Sequence, residues 1–124
     1  LVVDDNEDLA RATAILLESM GARVRVANDA ASARRLVAEH RGDLDVVLSD
    51  IVMPGAMNGL ALARALRESD PDLPVVLTTG HTAELQSAIA AGFAVLPKPS
   101  PAPVLAAALK DALAKRGEVA PAVK

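Results

Sequence analysis

Short apolar runs and stretches of helical periodicity alternate along this chain from one end to the other. "LVV" runs into Asp4. Leu9, Thr13, Leu16, Leu17 and Met20 then repeat at helical spacing, and Gly21 stands where a C-cap belongs. "ARVRVA" alternates apolar with charged residues, which predicts a strand with one wetter face near a sheet edge. Ala33, Leu36, Val37 and His40 form the next helical stripe, broken at Gly42, and "DVVLSD" is a continuous apolar strand delivered into Asp50. After the loop "IVMPGAMNG", Leu62, Ala63 and Leu66 mark a third helix that ends at "SDPDLP". "PVVLTTG" reads as a fourth strand, followed by a short helix traced by Leu85, Ala88, Ile89 and Gly92. "FAVLP" is a fifth strand, and Val104, Leu105, Ala108, Leu109, Ala112 and Leu113 lie on a final helix.

Strands alternating with helices in this way predict a parallel sheet covered on both faces. Right-handed crossovers leave few topologies. The expected fold is α/β, a three-layer doubly wound five-stranded parallel sheet with the flavodoxin-like strand order 2-1-3-4-5. In such sheets the working site lies beyond the carboxyl ends of the strands, at the switch point beside the first strand.

The length of 124 residues suits one domain, read as 1–116 with a C-terminal tail or linker over 117–124. The chain opens on Leu1 and enters a strand at once, so it is read as a piece of a longer protein or as lacking its leading residues. One Phe and no Tyr or Trp argue against a stacking platform for single-stranded nucleic acid. Thirteen basic against sixteen acidic residues, with no basic stripe, argue against direct nucleic-acid contact. The lack of Cys removes thiolate nucleophiles and zinc–thiolate sites, and fits a cytoplasmic chain. No apolar run approaches the roughly 18 residues that cross a bilayer, so no membrane contact is expected of this domain.

The strand ends carry the chemistry. Asp4 and Asp5 close the first, Asp50 the third, Thr78 and Thr79 the fourth, and Lys98 follows the fifth. Parallel strands point these ends at one rim. Two carboxylates 4 Å apart repel by about 4 kcal/mol at an effective dielectric near 20. That is a large share of a net stability of roughly 5–15 kcal/mol. Three acids without compensating Arg call for a cation, and an all-oxygen set favours Mg²⁺ or Mn²⁺ over zinc. Lys98 is then the counter-charge for an arriving anion, Thr79 a hydrogen-bond donor to it, and Gly80 keeps the approach open. These parts describe a phosphoryl-transfer site whose nucleophile is a carboxylate.

With "VVDD", "LSDIVMPG", "TTGH" and "PKP" in this order and spacing, the chain resembles the CheY-like receiver domains of two-component response regulators, from Val2 to about Lys115. The resemblance implies that Asp50 accepts a phosphoryl group from phosphohistidine on a histidine kinase or a histidine phosphotransfer protein. It implies that Asp5, Asp50 and the backbone carbonyl of Val52 hold Mg²⁺, with Asp4 acting mostly through water, and that Thr79 and Lys98 grip the phosphoryl oxygens. It further implies a cis Lys98–Pro99 bond. Thr79 would trigger a change in the surface of the fourth helix, fifth strand and fifth helix, which is also a candidate homodimer face. The domain would catalyse only its own phosphorylation and dephosphorylation. The ending "VLPKP" is similar to that of hybrid histidine kinases, whose parent chain can be membrane-attached.

Three positions depart from the usual pattern. Val95 stands three residues before the lysine, where the family often has Tyr or Phe, and Phe93 two residues earlier is the candidate substitute. "MPGAMNG" is one residue longer than usual, and "GFAVLPK" one shorter. Thr78 is read as structural, on the strand face opposite Thr79. His81 is read as a solvent-exposed residue and His40 as a helix-end cation, while Arg34, Arg35, Arg64 and Arg67 are read as wet helix faces. Three rivals remain. A degenerate receiver could dock proteins without phosphorylation. An aspartyl-nucleophile phosphatase needs an acid two residues after Asp50, where this chain has Val52. A flavin- or nucleotide-binding module needs a first loop that welcomes phosphate, unlike "DDNED".

Overall fold

The computed structural model describes residues 1–53, 57–98 and 100–122, the last eight of these by backbone alone. The elements alternate: β1 (Val2–Val3), α1 (Glu7–Ser19), β2 (Val26–Ala27), α2 (Ala30–Glu39), β3 (Val47–Asp50), α3 (Gly59–Ser69), β4 (Val75–Thr79), α4 (Thr82–Ala90), β5 (Ala94–Pro97) and α5 (Ala102–Ala122). All strand pairs are parallel, in the order β2-β1-β3-β4-β5. The expected topology is the observed one.

Neighbouring residues on a strand feed opposite cores, as a period of two demands. Val2, Leu48 and Val76 pack with Ala10 and Leu17 of α1 and Leu105 and Ala112 of α5. Val3 and Val47 pack the other way, with Ala33 and Val37 of α2 and Leu62 and Leu66 of α3. Both faces are therefore covered, which is why "DVVLSD" reads as unbroken apolar sequence. Asn6, Asp29 and Asn58 start α1, α2 and α3, each side chain accepting a backbone N–H three residues on. Gly21, Gly42 and Gly92 end α1, α2 and α4 with positive φ of 96°, 88° and 87°, a conformation that favours glycine.

Three local expectations need correction. The inward face of α1 is Ala10, Ala14 and Leu17, whereas Leu9 and Met20 of the expected stripe are 50% and 44% exposed. In α4 only Ala88 is buried, and Ile89 is 56% exposed. "ARVRVA" contributes just Val26–Ala27 to the sheet, because β1 offers two residues for pairing. The helix α5 runs on to Ala122. The extended "MPGAMNG" loop and the Lys98–Pro99 bond fall on Pro54–Ala56 and Pro99, outside the described residues.

Candidate functional site

β1, β3 and β5 deliver Asp4, Asp50 and Lys98 to one rim, as the parallel register requires. The Lys98 Nζ lies 2.9 Å from Asp50 Oδ2 and 3.2 Å from Asp4 Oδ2. One carboxylate oxygen each from Asp4, Asp5 and Asp50 lie within 4.8 Å of one another. Asp4 is buried, Asp50 half-buried and Asp5 exposed, so the cluster opens to solvent on the Asp5 side.

Each acid is held by its own backbone surroundings. Asp4 Oδ1 accepts the Asn6 N–H at 3.0 Å, and the Asp4 carbonyl accepts from Asn28 Nδ2 at 2.9 Å. The Val52 N–H donates to Asp50 Oδ1 at 3.3 Å. Burial pushes the Asp50 carboxyl above its ordinary range. Lys98 pulls the other way through its hydrogen bond and charge, and Asp4 adds to the rise. Burial works against the Lys98 ammonium too, but Asp50 and Asp4 outweigh it and hold that group above its usual range. The arrangement is thus short of positive charge: one lysine faces three carboxylates. An octahedral Mg²⁺ with bonds of about 2.1 Å spans ligand oxygens up to roughly 4.2 Å apart. The three acids already gather on about that scale, and their all-oxygen chemistry fits such an ion.

The two threonines part company. Thr78 pairs with Asp50 across the ladder and lines a groove of about 430 Å³ with Asp4, Asp50, Lys98, Leu9 and Leu105. Thr79 points to the opposite core, is 2% exposed, and accepts the His81 N–H on Oγ1 at 3.1 Å. Its carbonyl accepts the Lys98 N–H at 2.9 Å, so β4 and β5 are locked together at the site. Val52 is 44% exposed just past β3. His81 is an exposed residue at the start of α4, and His40 ends α2.

Phe93 is not at the threonine's level. Thr79 pairs with Pro97, four residues beyond Phe93, or about 13 Å along the strand. Val95 sits opposite Leu77, two residues short of Thr79. No aromatic ring therefore stands beside Thr79 among the described residues.

Two contributors were invisible in the motifs. Asn28 anchors the Asp4 backbone from the end of β2. Gly59 begins α3 where a side chain has no room unless the backbone shifts: a Cβ there would lie 1.9 Å from the Asp50 carbonyl oxygen. A glycine in the first turn of a helix, just after its Asn cap, is the signal that could have found it.

The sequence model described as "Response regulator receiver domain" matches residues 1–110. The chain is 37% identical over 120 residues to the C4-dicarboxylate transport transcriptional regulatory protein DctD of Pseudomonas aeruginosa, covering 94% of this chain and 25% of that protein. It is 33% identical over 122 residues to the sensor kinase CckA of Brucella abortus, covering 94% of this chain and 12% of that protein. The chain thus spans a quarter or less of these relatives. Among solved structures, a response regulator receiver domain protein from Clostridium thermocellum superimposes with a TM-score of 0.88 at 27% identity, over 95% of each chain.

Proposed function

Because this chain belongs to the response regulator receiver family, whose members accept a phosphoryl group in two-component signalling, we propose that Asp50 is the acceptor here. The donor is phosphohistidine on a histidine kinase or a histidine phosphotransfer protein, in the cytoplasm. The observation that carries the reading is the meeting of Asp4, Asp5, Asp50 and Lys98 at one strand rim.

An Asp50 carboxylate oxygen forms a bond to phosphorus as the donor's N–P bond breaks, and the electron pair of that bond returns to the imidazole. Such transfer is mostly positioning and charge neutralisation. Lys98 already sits within 2.9 Å of Asp50, placed to follow the negative charge onto the phosphoryl oxygens. The Val52 N–H fixes the rotation of the carboxylate. Asp5, Asp50 and the Val52 carbonyl, with Asp4 through water, are the residues that would hold Mg²⁺, or Mn²⁺ in its place. When bound, the ion supplies charge neutralisation on the transferring group. Thr79 accepts a hydrogen bond from His81 yet keeps its own proton to donate. Its move toward the new phosphoryl group would pull on the start of α4 and alter the α4-β5-α5 face. Exposed Ile89 and Val104 support that face as the one that meets a partner or a second copy. The domain turns over no exogenous substrate, in keeping with Val52 where a phosphatase needs an acid.

Intact-mass measurement after incubation with acetyl phosphate and Mg²⁺ tests the proposal. Wild type gains one phosphoryl group and Asp50→Asn gains none. No gain by folded wild type leaves the docking module as the better reading. Steady phosphate release from unrelated monoesters revives the phosphatase.

A further inference from the structure

Arg67, expected to be an ordinary wet side chain in the last turn of α3, has two specific contacts across the molecule. Its guanidinium carbon lies 3.7 Å from the centroid of the Phe93 ring, and its Nη1 donates to the Ala91 carbonyl at 3.0 Å. Ala91 is the C-cap of α4, Gly92 turns the chain with φ +87°, and the Phe93 N–H returns to the Ala88 carbonyl at 3.1 Å. The Phe93 ring packs with Ala88, Ala63, Ile51 and Leu77. Ile51 follows Asp50, and Leu77 shares the strand face of Thr79 two residues away. Ala88 is also the one buried residue of α4, so this helix has a single inward anchor, and it lies at the Arg67 end. At its other end α4 starts with no side-chain cap, tied instead by the His81 N–H to the Thr79 hydroxyl.

We propose that Arg67 is a clip that fixes the C-terminal end of α4. Phosphorylation then swings the N-terminal end of the helix about Ala91–Phe93 while the Phe93 ring stays buried. The swing rests on Asp50 being the phosphoacceptor; the clip itself does not.

Amide hydrogen exchange on the whole chain, with and without acetyl phosphate and Mg²⁺, tests this, and intact mass reads phosphorylation in the same samples. In wild type, phosphorylation changes exchange over residues 80–85 and leaves 88–93 as before. A fluorine label on the chain's single Phe keeps its resonance position. Arg67→Met keeps the stem but loses the charge and the donors. It speeds exchange over 88–93 about tenfold even without phosphorylation, the worth of a cation–π contact plus one hydrogen bond, and leaves α2 unchanged. Arg67→Lys falls between the two. Equal changes along all of α4 in phosphorylated wild type, or a moved fluorine resonance, overturn the swing. Unaltered exchange over 88–93 in Arg67→Met overturns the clip. A wild type that gains no phosphoryl mass counts against Asp50 and against the swing, and the unphosphorylated Arg67→Met comparison still decides the clip.

Discussion

Lys98 reaches from β5 across β4 to place its ammonium 2.9 Å from Asp50 and 3.2 Å from Asp4, on the next two strands. The lysine thus occupies, with one charge, the space where three carboxylates converge. It partly answers their repulsion, and a divalent cation must share their field with it.

Lys98→Met retains most of the arm's volume and removes the charge. The potential at the carboxylates becomes more negative, so Mg²⁺ binds more tightly, by roughly three- to tenfold, as calorimetry will read. Phosphoryl uptake from acetyl phosphate slows by about a hundredfold, because a fixed donor to the transferring group is gone. An unchanged Mg²⁺ affinity would show that the ammonium does not compete with the ion.

The raised Asp50 pKa sets a pH dependence for the metal-free domain. From the ordinary value of 3.8 up to the raised one, the folded state binds more protons than the unfolded. Stability therefore falls as pH rises through that window. Lys98 acts at the other end. Its raised pKa contributes stability below its ordinary value of 10.5, lost as pH climbs through the raised value. Carbon-13 NMR of the Asp50 carboxyl should show a midpoint above that of ordinary aspartate, moving down when Mg²⁺ is added. A metal-free midpoint at or below the ordinary value would contradict the burial argument.

Gly59 packs its backbone against the end of β3, its N–H donating to the Ile51 carbonyl at 2.7 Å. Gly59→Ala puts a methyl 1.9 Å from the Asp50 carbonyl oxygen, so α3 or the end of β3 must shift. The better helix propensity of Ala returns about 1 kcal/mol. Overpacking costs roughly 1–3 kcal/mol and backbone contacts lie at the upper end, so denaturation should show a net loss of about 2 kcal/mol. Phosphoryl uptake should fall with it, since the Asp50 backbone is what moves. Wild-type stability in this variant would mean that the helix start yields freely.

The sheet order and the rim were legible because both follow from features that sequence records directly. Continuous apolar strands such as "DVVLSD" require cover on both faces, and polar residues that end each strand must meet when all strands run the same way. The inward face of α1 was not legible in the same way. Ala10 and Ala14 are weakly apolar, and it is the close approach of helix to sheet that selects them over Leu9. Arg67 and Phe93 were separated by a helix and a strand, with no pattern linking them until β5 brought the ring under the guanidinium. Gly59 was hidden because its role is to have no side chain.

The division of labour between the two threonines can be tested with isosteric changes. Thr79→Val keeps the buried volume but removes the acceptor for the His81 N–H at the start of α4. That donor then loses its partner, a cost of about 1 kcal/mol, so amides over 81–85 should exchange about fivefold faster. Uptake of the phosphoryl group at Asp50 should slow, but by less than in Lys98→Met, because the Lys98 charge and the acids are untouched. The change in α4 exchange on phosphorylation should vanish. Thr78→Val alters the wall of the groove beside Asp50 and Lys98, on the sheet face away from α4. It should leave the α4 response intact. Loss of that response in Thr78→Val, with its retention in Thr79→Val, would reverse the assignment and make Thr78 the residue that carries the signal.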